Sequence, residues 1–156
     1  MTATTTTDRM TTGHAPAATR VPVRALLRTS LLATVFAAAA TEAFTALVRA
    51  AGVHLAVGDP SGSASSVVPV GPGACTVALA MVMVLGTGLA VSINRWSTHP
   101  ARAYTRVTSV LVLASLSAPL TAAATTTVTK LTLGAAHLIA AAVIIPLVRR
   151  RLVGTR

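Results

Sequence analysis

Charge is scarce in this chain, and acid scarcer still. Only 10% of its 156 residues are charged, and Asp and Glu together number 3 against 13 Lys and Arg. Soluble domains carry roughly 25% charged residues, so an ordinary solvated surface is excluded. Aromatic residues make up 3%, and no basic stripe is interleaved with them. That removes the stacking platform a base-binding protein needs. Cys75 is the single cysteine, which rules out an intramolecular disulfide and a thiolate metal cluster made by one chain. Its apolar neighbours give it the packing role of a small hydrophobe. His54 and Asp59 share a loop but are too few for a zinc site. No nucleophile falls with a histidine and an acid in a recognisable triad. Gly86-Thr87-Gly88 sits inside an apolar run and lacks the rest of a phosphate-loop fingerprint. Neither a metal nor a cofactor is expected.

What the chain has instead is long apolar runs. It is 53% hydrophobic, with a mean hydropathy of +0.74. Four stretches, roughly 25–50, 70–93, 104–124 and 128–148, each reach the ~20 residues that a spanning helix needs. The expected fold class is therefore all-α, a four-helix transmembrane bundle occupying residues 20–151. In the third stretch Ser115, Ser117 and Pro119 predict a kink or an early end, since proline frees a helix carbonyl. Residues 1–19 are low in complexity, rich in Thr and Ala, and read as a disordered tail containing His14. Residues 152–156 read as a short basic tail. The segments Gly52–Pro69 and Asn94–Arg102 carry turn-forming residues and read as loops, with His54, Asp59 and His99 solvated on them.

The placement of the basic residues gives an orientation. Arg9, Arg20, Arg24 and Arg28 precede the first span. Arg95, Arg102 and Arg106 flank the second connection, and Arg149, Arg150, Arg151 and Arg156 follow the fourth span. With four spans all of these share one side, leaving Arg49 and Lys130 on the other. Both termini are then cytoplasmic, in a multi-pass protein of the cell membrane, and the net charge of +10 needs no nucleic acid to explain it. Arg20, Arg24, Arg28, Arg102, Arg106, Arg149, Arg150 and Arg151 are expected among anionic lipid headgroups. Trp96 and Tyr104 are expected at the interface. A rival topology treats Arg28–Ala43 as a signal peptide; its cleavage would leave three spans.

Ionisable groups within a span are costly and usually face protein or water. The first span carries Glu42 and Arg49, the fourth Lys130 and His137, seven residues apart in each case. The stripes Ala38–Glu42–Thr45–Arg49 and Lys130–Gly134–His137–Ala141 predict that the two helices face each other through small and polar residues. Glu42 and His137 then share a depth and are candidate partners. They form either a proton-linked polar cavity or a buried pair that fixes packing. Arg49 and Lys130 can instead snorkel to headgroups. The threonines Thr125, Thr126, Thr127 and Thr129 are expected to bond backbone carbonyls at the start of the fourth span.

The first span followed by "AGVHLAV", the Gly-rich start of the second, and the terminal "APLTAAATTTVTKLTLGAAHLIAAAVIIP" together resemble an uncharacterised family of small four-span membrane proteins of high-GC bacteria. The resemblance covers most of residues 24–150. It implies the same four-span fold, with Thr129, Lys130 and His137 matching the family's fourth span, and it implies no established activity. The leading expectation is a non-enzymatic membrane protein. The alternative is a proton-linked transporter or small-ligand binder, and a membrane enzyme comes third. A homo-oligomer or another membrane partner is compatible with the Ala- and Gly-rich faces.

Overall fold

The computed structural model describes residues 20–59, 63 and 65–153. The tail expected at 1–19 and residues 154–156 lie outside the described residues. Five helices and one hairpin follow in order: α1 (Val23–Ala50), β1 (Ala56–Gly58), β2 (Val67–Pro69), α2 (Ala74–Trp96), α3 (Pro100–Ser115), α4 (Ser117–Thr121) and α5 (Thr127–Val153). α1, α2, the α3–α4 pair and α5 are each long and apolar enough to cross a membrane.

Proline and glycine set most boundaries. α1 starts after Pro22, whose carbonyl accepts from the amides of Ala25 and Leu26 at 2.9 and 3.2 Å. It stops at Gly52, where φ is +86°, a conformation glycine adopts without steric cost. The Gly52 amide bonds the Arg49 carbonyl at 2.9 Å and the Val53 amide bonds Val48 at 3.3 Å. That pair of bonds satisfies two of the carbonyls in the last turn of the helix. α3 opens with Pro100 in its first turn, where the missing N–H costs nothing. The interruption expected at Pro119 is present. Its ring opposes the carbonyl four residues back, that of Ser115, and α3 ends at Ser115.

One expected loop is structured. Within Gly52–Pro69, β1 and β2 pair antiparallel, Ala56 opposite Pro69, Val57 opposite Val68, and Gly58 opposite Val67. Strands this short are below the length at which alternation can be read in a sequence. The hairpin is held from outside: the Gly58 amide donates to Thr125 Oγ1 at 3.0 Å, on the connection into α5.

α1 packs most extensively on α5. α2 lies against α1, α3 against α5, and α2 meets α3 over a smaller contact, closing a four-membered ring. The seam between α1 and α5 is built from small residues. α1 buries Ser30, Ala33, Ala37, Thr41 and Thr45; α5 buries Thr129, Thr132, Ala136 and Ala140. Small side chains let helix backbones approach closely, which is how helices associate without a hydrophobic driving force. Three of the buried hydroxyls are satisfied within their own helices: Thr41 and Thr45 donate to the carbonyls of Ala37 and Thr41 at 2.9 and 3.0 Å, and Thr132 to Val128 at 2.9 Å.

Larger apolar residues gather at one end. Val21, Leu26, Tyr104, Val148 and Leu152 form a cluster with Ala33 and Ala90. This end holds both ends of the described helical domain and the run Arg149–Arg151; we call it the arginine end, and the opposite one the hairpin end. Tyr104 is 2% exposed, so it is a core residue and not the interfacial aromatic expected. Trp96 is 77% exposed. Leu152 is buried within α5, so the helix runs two residues into what reads in sequence as a basic tail. Asn94 ties the start of the chain to α2. Its Oδ1 accepts from the Val21 amide at 3.3 Å, and its Nδ2 donates to the Val21 carbonyl at 3.0 Å.

The packing is uneven along the bundle. α2 buries only Thr87, Ala90 and Asn94, all in its second half, and α3 buries only Tyr104. Meanwhile Leu31, Phe36, Leu85, Val110, Leu113 and Leu131 are among many large apolar side chains left exposed. Water tolerates such a surface poorly at this extent, and lipid tolerates it well.

Candidate functional site

Glu42 lies two turns before the end of α1. Its Oε1 accepts from the Thr76 amide at 3.1 Å and from the Thr76 hydroxyl at 3.2 Å. Thr76 is the third residue of α2, and the residue before that helix is Gly73, with φ +85° and no side chain to offer. The first amides of any helix lack internal partners. Here a carboxylate from a neighbouring helix supplies the missing acceptor and places a negative charge at the positive end of the α2 dipole. Arg49 completes the group, with its Nη2 3.9 Å from Glu42 Oε2. Glu42 and Arg49 are each about three-quarters buried, at 23% and 25% side-chain exposure.

Glu42 and His137 are therefore not hydrogen-bonded to each other. His137 is exposed, and its Nδ1 lies 3.1 Å from the carbonyl of Leu133, one turn earlier in α5. A carbonyl can only accept, so this bond puts a proton on Nδ1 and leaves Nε2 as the second polar atom of the ring. Lys130 is half-buried and forms no ion pair among the described residues. The two helices do meet, but not through the expected stripes. α5 turns Thr129, Thr132, Ala136 and Ala140 inward, one residue around from Lys130, Gly134, His137 and Ala141. α1 turns Ala37 and Thr41 inward, and of the expected set only Thr45 is fully buried, the other three being partly exposed. Glu42 and Arg49 flank that seam on the side where α2 packs.

Of the threonines expected to bond backbone carbonyls before α5, Thr125 does so, and Thr125 and Thr126 each accept one bond and donate one. Thr126 Oγ1 accepts from the Thr129 amide at 3.3 Å, a helix cap, and its own proton goes to Thr129 Oγ1 at 3.0 Å. Thr125 accepts from Gly58 and donates to the Ala123 carbonyl at 3.0 Å.

Arg20, Arg24, Arg28, Arg102, Arg106, Arg149, Arg150 and Arg151 are all exposed. Three of them converge. Arg24 and Arg28 of α1 and Arg151 of α5 line a cleft of about 460 Å³, with Pro22, Ala25 and Thr29 as its floor and walls. Sequence spacing places Arg24 and Arg28 on one helix face; the arrival of Arg151 depends on the antiparallel pairing of α1 with α5. Among the described residues no group of three His, Cys, Asp or Glu side chains can hold a metal ion.

The comparisons with known proteins add one match. The model of a family of unknown function, DUF6069, covers residues 21–154, which is the whole helical domain. No curated protein and no solved structure matches the chain.

Proposed function

The chain belongs to this family of unknown function, and from its geometry we propose that it is a multi-pass protein of the cell membrane that works by packing against another membrane component, not by chemistry. The observation that carries this reading is His137. Its imidazole sits mid-way along an apolar span, exposed, bonded only to its own helix. Ionisable side chains at such depth face protein or a watery cavity, so the surface around His137 is one that a neighbour would cover. The half-open bundle supports the same reading. Toward the hairpin end α2 buries no residue and α3–α4 only Pro119, which leaves room beside the α1–α5 pair. A second copy of the chain or another membrane protein would fill it.

The orientation follows from charge. The described arginines other than Arg49 lie at the arginine end, which the positive-inside bias assigns to the cytoplasm, with anionic headgroups as their partners. The proton-linked alternative draws no support from Glu42, whose oxygens are taken by Thr76 and Arg49.

A photo-reactive residue at position 137 tests the proposal in native membranes, with Phe36, exposed on α1, as the control position. A discrete protein adduct from 137 and only lipid adducts from 36 are expected. An adduct of doubled chain mass would identify a second copy, and any other discrete mass a different protein. Lipid adducts alone from 137 would overturn the reading.

A further inference from the structure

The cleft between Arg24, Arg28 and Arg151 raises an electrostatic question. α1 begins beside it, and the first turn of α1 carries neither an acidic residue nor a side-chain cap. The N-terminus of a helix is already positive and favours an anion. Here guanidinium groups are added to it, and a third arrives from α5. No carboxylate side chain balances them: the described acids are Glu42, which pairs with Arg49, and Asp59, which lies beyond β1 in the hairpin. Three like charges around a cleft of about 460 Å³ repel one another until an anion enters. The size is within the ordinary range for a small-molecule site.

The surface below the cleft says which kind of anion. Arg28 follows Arg24 by four residues, Leu31 and Leu32 follow Arg28 by three and four, and Val35 follows those two by four and three, so they form one broad stripe along α1. All are exposed. The stripe is cationic for one turn and apolar thereafter, running from the arginine end into the membrane-spanning length. That matches a molecule with a phosphate at one end and a hydrocarbon chain below it. A soluble phosphate would use the arginines and leave the leucines unused.

We propose that Arg24, Arg28 and Arg151 form a binding site for the phosphate headgroup of an anionic phospholipid, whose acyl chain lies along Leu31, Leu32 and Val35. The inference rests on the membrane reading above and goes beyond general headgroup contact. Guanidinium forks bind phosphate oxygens in pairs, and the arginines come from two helices. The bound lipid therefore clamps the start of α1 to the end of α5.

The test is native mass spectrometry of the full chain in neutral detergent, titrated with phosphatidylglycerol, phosphatidylcholine and glycerol phosphate. Wild type should retain phosphatidylglycerol in preference to phosphatidylcholine. Each surface guanidinium contributes roughly a fivefold factor, so the triple variant R24Q/R28Q/R151Q should bind on the order of a hundredfold more weakly. The pair R102Q/R106Q, on α3, should change binding by less than about twofold, because it removes charge from the same end without touching the cleft. Equal losses in the triple and the pair would mean a diffuse cationic surface and overturn the site. Competition by glycerol phosphate at the lipid's own concentration would make the ligand a soluble phosphate and overturn the lipid assignment. Retention in the membrane after alkaline carbonate washing is scored separately. A chain that stays in the membrane yet ignores the triple substitution loses the site alone, whereas wild-type chain released by the wash defeats the membrane reading beneath it.

Discussion

Glu42 on α1 caps the amino end of α2 through Thr76, across 34 residues of sequence. An acid that looks in sequence like half of a proton-exchanging pair is here a fastener between two helices. The role follows from what α2 lacks: Gly73 occupies its capping position without a side chain. A helix start left without acceptors is costly wherever lipid replaces water around it.

That cap should be measurable. Glu42→Ala is expected to cost about 1–2 kcal/mol in reversible unfolding in mixed micelles, the range of a lost helix cap. Glu42→Gln keeps an acceptor oxygen and forfeits the charge, so its cost should be smaller, about 0.5–1 kcal/mol. A double-mutant cycle with Thr76→Val isolates the contact. A coupling near 1 kcal/mol is expected; additive effects would show that Glu42 stabilises the fold by another route.

The seam between α1 and α5 makes a steric prediction. Ala37 is fully buried in it, and Ala39, two residues on, is exposed. Ala37→Leu should force the helices apart and cost about 1–3 kcal/mol, as overpacking does. Ala39→Leu should stay within about 0.5 kcal/mol of wild type. Thermal unfolding in detergent compares the two, and equal effects would place the seam elsewhere on α1.

Why that seam was not legible beforehand is plain at Ala37–Ala40. Four successive alanines offer a small face in every direction, so composition cannot phase the helix, and the conspicuous Glu42 and His137 drew the expected interface about 100° around each helix. The threonines that do face inward pass for polar residues until their hydroxyls are seen bonded one turn back. By contrast, the number of spans and the break at Pro119 were legible, because hydropathy and proline act locally. The Asn94 clamp on Val21 joins residues 73 apart, and no local pattern announces it. The arginine cleft was half legible, as a charged face on α1 that only tertiary pairing completes with Arg151.

The Asn94 clamp predicts a local and a global effect. Asn94→Leu removes two buried hydrogen bonds and leaves the Val21 amide and carbonyl without partners, a loss of about 2 kcal/mol at the usual value per bond. The start of α1 should also open more often. Trypsin applied to the arginine end in membrane vesicles should then cut at Arg20 and Arg24 faster by about tenfold or more, with Arg102 on α3 cleaved at an unchanged rate as the internal control. Uniform acceleration at all three sites would indicate general destabilisation and not loss of a clamp.

The hairpin gives the sharpest separation between local and global stability. A Cβ on Gly58 would run into the backbone carbonyl of Ala123, and that neighbour is main chain, which cannot rotate away. Gly58→Ala must therefore lift β1 off the connection before α5 and break its bond to Thr125. Thr125→Val removes the same bond without the collision. Because the hairpin contributes little to the helix seam, both variants should leave the unfolding midpoint nearly unchanged. Amide exchange at Val57 and Val68 should rise in each, by roughly fivefold for Thr125→Val, the worth of one hydrogen bond, and by more than about tenfold for Gly58→Ala, where steric strain is added. The order of the two decides the cause. If Thr125→Val loosens the hairpin as much as Gly58→Ala, the hydrogen bond alone holds it and the close approach of Ala123 is incidental. If only Gly58→Ala does so, shape complementarity at the glycine fastens the first connection to the third.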